Sequence, residues 1–192
     1  IWPTIAKAEA VLLQWLAQHA PATAEHLGDT DKVRALRHEI VALRPDLKAD
    51  LSGLRRESIR LALSRAGDDP ALAEPAFDEF FAARQRVELF DDALPALQFL
   101  SQRWPVVALS NGNANVHVVG IGEHFHASLS ASGAGMAKPE TRFFQAAADA
   151  AGGDGTVEIF PHRASELGLT AVCLEHRRVR GDASEYAIEQ RR

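Results

Sequence analysis

Up to residue 85, apolar side chains recur only at the three-to-four-residue spacing of a helix. From residue 86 onward, helical stretches alternate with short, continuous apolar runs. This change of pattern limits the fold more than any other property of the chain. Helix periodicity alone can bury its stripes by packing helix on helix, whereas alternating helix and strand implies a parallel sheet with helices on its faces. The chain therefore reads as α/β, with an all-helical unit over residues 1–85 and a sheet-containing unit over residues 86–192.

In the first unit Pro3 suits a helix start, and Ile5, Ala8, Leu12, Trp15 and Leu16 form the stripe of that helix until PATAEHLGD breaks it. Thr30 is positioned to cap a second helix, striped by Val33, Leu36, Ile40 and Leu43 and stopped by Pro45. Leu54, Ile59, Leu63 and Ala66 mark a third, which ends at Gly67, and Phe77, Phe80 and Phe81 give a fourth its apolar face. In the second unit residues 92–103 are predicted helical, with Ala93, Leu94, Leu97 and Leu100 inward. VVALS, ASLSA and TAVCL are predicted strands, with a short helix near residues 115–120 and a longer one over 139–151.

Composition narrows the partners. A net charge of -5 argues against a protein that binds nucleic acid by neutralising phosphates, so small metabolites or protein partners fit better. No apolar run approaches the ~20 residues that span a bilayer, and nothing resembles a signal peptide. The single cysteine, Cys173, has no disulfide partner and reads as a core residue of a reduced, cytoplasmic protein. The chain opens on Ile1 and its only methionine is Met136, which leads us to expect a piece of a longer translated product or a processed chain.

Ligands of parallel sheets sit beyond the carboxyl ends of the strands, where VVALS runs into Ser110, Asn111 and Gly112. Ser110 offers a hydroxyl, Asn111 an amide and a backbone N–H, and Gly112 a backbone that a ligand can approach closely. A helix starting just afterwards would add partial positive charge. The set suits an anion, phosphate above all, although Ser-Asn-Gly is also ordinary turn chemistry. In GMAKPETRFF, Lys138 is one of four lysines against 17 arginines and directly precedes Pro139. A cation at a helix start is unfavourable unless an anion accompanies it; otherwise Lys138 is a solvated surface residue.

ALSNGN followed by KPETRFF resembles the second and third motifs of the haloacid dehalogenase-like hydrolase superfamily. The resemblance extends through ELFDDALPALQFLSQRWPVVALSNGN and IGEHFHASLSASGAGMAKPETRFFQAAADAAG. It is closest to bacterial small-metabolite phosphatases of the flavin-pathway type. It implies a Rossmann-like parallel-sheet core over residues 86–192 and a helical cap over 1–85. The implied activity is hydrolysis of a small phosphorylated metabolite through an aspartyl-phosphate intermediate, with Mg²⁺ as cofactor. Ser110 and Lys138 would then be catalytic, and Ser110, Asn111, Gly112 and Lys138 would hold the phosphate. An attacking carboxylate repels phosphate by about 4 kcal/mol at 4 Å and an effective dielectric of 20, which the metal and Lys138 would offset.

The chain departs from that pattern in two places. The first motif, D-x-D after an apolar strand, is expected just upstream of the cap, so the first core strand and its nucleophile are missing. DTDKV, residues 29–33, matches it literally but follows AEHLG and reads as a helix cap. In the fourth motif Asp154 and Glu158 fit a loose acidic pattern for metal binding, unless TVEIF is itself a strand and neither acid serves. His124 and His126 form an H-x-H without a further spaced partner, and Arg55 and Arg56 either face a substrate or sit on a solvated helix face. Two other functions compete: a 2-haloacid dehalogenase of the same superfamily, and a truncated, non-catalytic relative acting as a binding or interaction domain. Oligomeric state has no signature in the sequence.

Overall fold

The computed structural model describes residues 2–28, 30–152, 156–160 and 169–175. Its helices in chain order begin with α1 (Trp2–His19), α2 (Pro21–Leu27), α3 (Thr30–Leu43), α4 (Leu51–Ala66) and α5 (Ala73–Arg84). Ala8, Leu12 and Leu16 recur every fourth residue on α1 and meet Ile59 and Leu63 of α4 and Phe77 and Phe80 of α5 in one core. Each large side chain buried there contributes about 1.5–3 kcal/mol. Asp50 caps α4 by accepting from the N–H groups of Ser52 and Gly53, and Gly67 ends it at φ 82°, where a side chain would be strained.

Two local expectations are corrected. PATAEHL does not merely break the first helix; Pro21 starts α2, because proline fits the first helical turn. Buried Thr23 anchors this helix by donating from Oγ1 (2.6 Å) and from its backbone N–H (3.0 Å) to Oδ2 of Asp68. Thr23→Val removes the hydroxyl bond to a carboxylate and is expected to cost about 1.5–3 kcal/mol, measured by urea unfolding. On α3, Leu36 and Ile40 are buried as the stripe predicts, but Leu43 is 65% exposed because the helix ends there, before Pro45.

The second half begins with α6 (Ala93–Ser101) and β1 (Val106–Ser110), followed by α7 (Val116–Val119), β2 (Ala127–Ser130), α8 (Ala131–Ala134) and α9 (Thr141–Ala150). The last two strands are β3 (Thr156–Phe160) and β4 (Leu169–Glu175). The sheet order is β2-β1-β4-β3. β1 and β2 pair in parallel from Val107↔Ala127 to Ser110↔Ser130. β4 is antiparallel to both β1 and β3, so β3 runs with β1 and β2 while β4 opposes them. A wholly parallel sheet is therefore not formed. Eight residues separate Phe160 from Leu169, whereas a parallel crossover takes about a dozen or more.

The architecture is α/β, with β1 buried from end to end. Val107 and Leu109 pack on Phe143 and Ala147 of α9, while Ala108 meets Val116 and Ile121, and Val106 meets Leu100 and Phe125. On α6, Leu97 and Leu100 are partly buried in these clusters, but Leu94 is 38% exposed, contrary to its expected inward position. No described helix is long and apolar enough to cross a membrane.

Candidate functional site

β1 delivers Ser110 to the carboxyl edge of the sheet with 3% of its surface exposed. Its Oγ accepts from the Gly112 N–H at 2.9 Å, which tightens the turn out of the strand. A Cβ on Gly112 would lie 3.2 Å from Ser110 Oγ and 3.9 Å from a terminal nitrogen of Arg84, so the missing side chain leaves a gap bounded by a hydroxyl and a guanidinium.

Asn111 spans that edge. Its Nδ2 donates to the Lys138 carbonyl at 3.0 Å, and its Oδ1 accepts from the Lys138 N–H at 2.8 Å. Lys138 in turn donates from Nζ to the Leu109 carbonyl at 3.1 Å. The structure thus brings Ser110, Asn111, Gly112 and Lys138 together, although 27 positions separate the two asparagine-bonded residues. Partial burial pushes the Lys138 ammonium below the ordinary lysine range, a shift that a nearby anion would reverse. The Asn111 carboxamide is spent on the Lys138 backbone, contrary to its expected place as a phosphate donor.

The helical half supports the turn. Gln85, following α5, accepts from the Asn115 N–H at 2.8 Å and donates to the Asn113 carbonyl at 3.4 Å. Asn113 Nδ2 donates to Ser52 Oγ at the start of α4, at 3.2 Å. Sequence reasoning missed Ser52, Gln85 and the neighbouring Arg84. For Arg84 the signal was present: Phe77, Phe80 and Arg84 share one helical stripe, so the arginine continues an apolar face into the interior. The expected helix after Gly112 is α7, whose four residues supply little of the dipole anticipated there.

Other sequence candidates lie elsewhere or have other partners. Arg55 bonds Glu9 at 3.0 Å and lies 4.4 Å over the Phe80 ring; burial pushes its guanidinium down, and Glu9 offsets part of that shift. Arg56 pairs with Glu74 at 3.0 Å over Phe77. His124 and His126 line a hollow of about 490 Å³ with Val106 and Trp104. That hollow lies at the amino end of β1, about 13 Å from Ser110 at 3.3 Å per residue. Within residues 29–33, Asp29 lies outside the described residues, while Thr30 is the first residue of α3. Asp154 also lies outside them. TVEIF is a strand, and Glu158 pairs through its backbone with Cys173, on the far side of β4 from β1.

Among the described residues no three His, Cys, Asp or Glu side chains group to hold a metal ion. The groups around Gly112 are a hydroxyl, N–H donors and the Arg84 and Lys138 cations, and those cations attract anions and repel Mg²⁺. These residues do not fit the cation by themselves, since Mg²⁺ needs oxygen ligands, carboxylates above all.

The haloacid dehalogenase-like hydrolase family model matches residues 4–160. A curated relative, the 5-amino-6-(5-phospho-D-ribitylamino)uracil phosphatase YigB of Escherichia coli (strain K12), is 28% identical over 151 residues. That alignment covers 77% of this chain and 63% of the relative, so the chain spans under two thirds of that protein's length. Among solved structures, the 2-haloacid dehalogenase from Pseudomonas syringae pv. Tomato DC3000 superposes with a TM-score of 0.71 at 32% identity. It covers 80% of this chain and 67% of the dehalogenase.

Proposed function

Because the chain belongs to the haloacid dehalogenase-like hydrolases, we propose that it serves as a phosphatase acting on a small phosphorylated metabolite. The observation that carries this reading is the pair of hydrogen bonds between the Asn111 side chain and the Lys138 backbone. They hold a lysine ammonium against the strand end that carries the Ser110 hydroxyl and the Asn111 N–H. Three phosphoryl oxygens would find a fixed hydroxyl, a backbone donor and a cation there, as developing negative charge requires.

In the proposed reaction an aspartate carboxylate attacks phosphorus and the P–O bond to the leaving alcohol breaks. Water then hydrolyses the acyl phosphate, regenerating the carboxylate. The 192 residues contain no D-x-D at the end of an apolar strand. Mg²⁺ would need carboxylate ligands in addition to the residues gathered around Gly112. Ser110 and Lys138 bind and orient the phosphoryl group, and Lys138 offsets its repulsion of the carboxylate. The helical residues 1–85 act as a cap over residues 86–192, and Ser52 and Gln85 tie that cap to the turn. A reduced, cytoplasmic setting accords with the single Cys173.

The likeness to a solved 2-haloacid dehalogenase favours a second reading, in which the same donors hold the carboxylate of a 2-haloacid. Two assays on the product of the complete reading frame separate them. Phosphate release from p-nitrophenyl phosphate with Mg²⁺, without chloride release from 2-chloropropionate, is the expected result. Chloride release without phosphate release would overturn the phosphatase in favour of the dehalogenase. Release of neither would leave a binding domain.

A further inference from the structure

Arg84 ends α5 with only 5% of its surface exposed. Among the described residues its guanidinium has no hydrogen bond, ion pair or aromatic face; Arg55, Arg56 and Arg103 by contrast each lie over a phenylalanine ring. Burial alone pushes its guanidinium down from the ordinary range, with no opposing charge to restore it. A guanidinium cannot shed its proton in a protein, so burying one without a partner destabilises the fold. Such a group persists where a ligand completes it.

The geometry points outward from that burial. Any side-chain nitrogen or oxygen fully sealed from solvent has a hydrogen-bond partner among the described residues. The unpartnered Arg84 nitrogens therefore keep an opening. One of them lies 3.9 Å from where a Gly112 Cβ would stand, and Ser110 Oγ lies 3.2 Å from the same point. A side chain on residue 112 would crowd the gap between them, and glycine leaves it clear.

We propose that Arg84 is a further anion-binding residue of this site, its guanidinium taking phosphoryl oxygens of the substrate across the gap at Gly112, opposite the Ser110 hydroxyl. The proposal rests on the phosphatase reading for the identity of the anion. The planar fork suits two oxygens of one phosphoryl group, whereas Lys138 acts as a point charge. The helical half, through the last residue of α5, thereby reaches the reacting group itself.

Binding of inorganic phosphate by calorimetry and the melting temperature without phosphate test this together on the 192-residue chain. Arg84→Met is expected to weaken phosphate binding roughly ten- to hundredfold, as loss of charge-assisted hydrogen bonds does, and to raise the ligand-free melting temperature. Arg84→Lys is expected to restore part of the binding. A merely structural arginine would lower the melting temperature on replacement and leave phosphate binding unchanged; that result overturns the proposal, as does absence of phosphate binding by the unmodified chain. Should Arg84→Met not fold, Arg84→Lys decides: weaker binding at an unchanged melting temperature supports the role, and unchanged binding overturns it. Phosphate binding that depends on Arg84, with no phosphate-ester hydrolysis by the product of the complete reading frame, would sink the phosphatase reading alone. Hydrolysis by that product unaffected by Arg84→Met would sink this proposal alone.

Discussion

Lys138→Met in the product of the complete reading frame is expected to lower kcat for p-nitrophenyl phosphate about 10²- to 10³-fold, with little change in melting temperature. The size follows from what the ammonium would offset. A carboxylate and a phosphoryl oxygen about 4 Å apart repel by about 4 kcal/mol at an effective dielectric of 20, and removing one preorganised donor from a developing oxyanion typically costs 10²- to 10³-fold. Stability changes little because two effects oppose each other. Methionine forfeits the bond from Nζ to the Leu109 carbonyl, but it also removes a half-buried charge whose desolvation already pushes its pKa down. The same shift gives a pH dependence with a definite sign. Raising the pH deprotonates the free enzyme's ammonium and abolishes its attraction for the substrate. The alkaline limb of kcat/KM should therefore lie below the ordinary lysine pKa of about 10.4 and vanish in the methionine variant. A variant within tenfold of the parent, with an intact fold, would deny Lys138 any role as a charge.

How much of this was legible beforehand depends on whether a residue's surroundings are local. The stripes of α1 and α5 and the buried run of β1 were legible because their period is set by the backbone: Leu12, Leu16, Phe77 and Val107 are buried where the spacing puts them. The nearness of the Ser110 and Lys138 segments was legible through the resemblance of ALSNGN and KPETRFF to two motifs of one family, since neither segment alone excludes an ordinary turn; in the structure Lys138 bonds Leu109 and Asn111, on either side of Ser110. The direction of β4 was not, because strand alternation is the same in parallel and antiparallel pairs; the eight-residue connection was the only clue. Asn111 was read as a ligand donor because an amide has the same hydrogen-bonding capacity whichever partner it finds, and here the partner is the Lys138 backbone. Arg84 was passed over because an arginine at a helix end normally reaches solvent. Only its place on the Phe77–Phe80 stripe distinguishes it.

Phe143→Ala is expected to cost about 3–5 kcal/mol, a large part of the 5–15 kcal/mol available to a domain. Phe143 is 0% exposed and packs under β1 against Val107 and Leu109, at the first turn of α9. Truncation removes the volume of an aromatic ring, and a cavity opens beneath the strand that ends in Ser110 to the extent that Met136 and Phe144, packed on the same cluster, do not collapse into it. Urea unfolding measures the loss as a lower midpoint at unchanged slope. Phe143→Leu, which keeps most of the volume, should cost far less. The consequence for the site follows from the chain. Lys138 is held on one side by Asn111 and on the other by α9, which begins three residues later and packs through Phe143 and Ala147 on Val107 and Leu109 of β1. Loosening α9 should therefore weaken phosphate binding at temperatures where the variant is still folded. A cost below about 1 kcal/mol would mean that the packing of α9 on β1 does not seat Lys138, and the asparagine bonds would have to hold it alone.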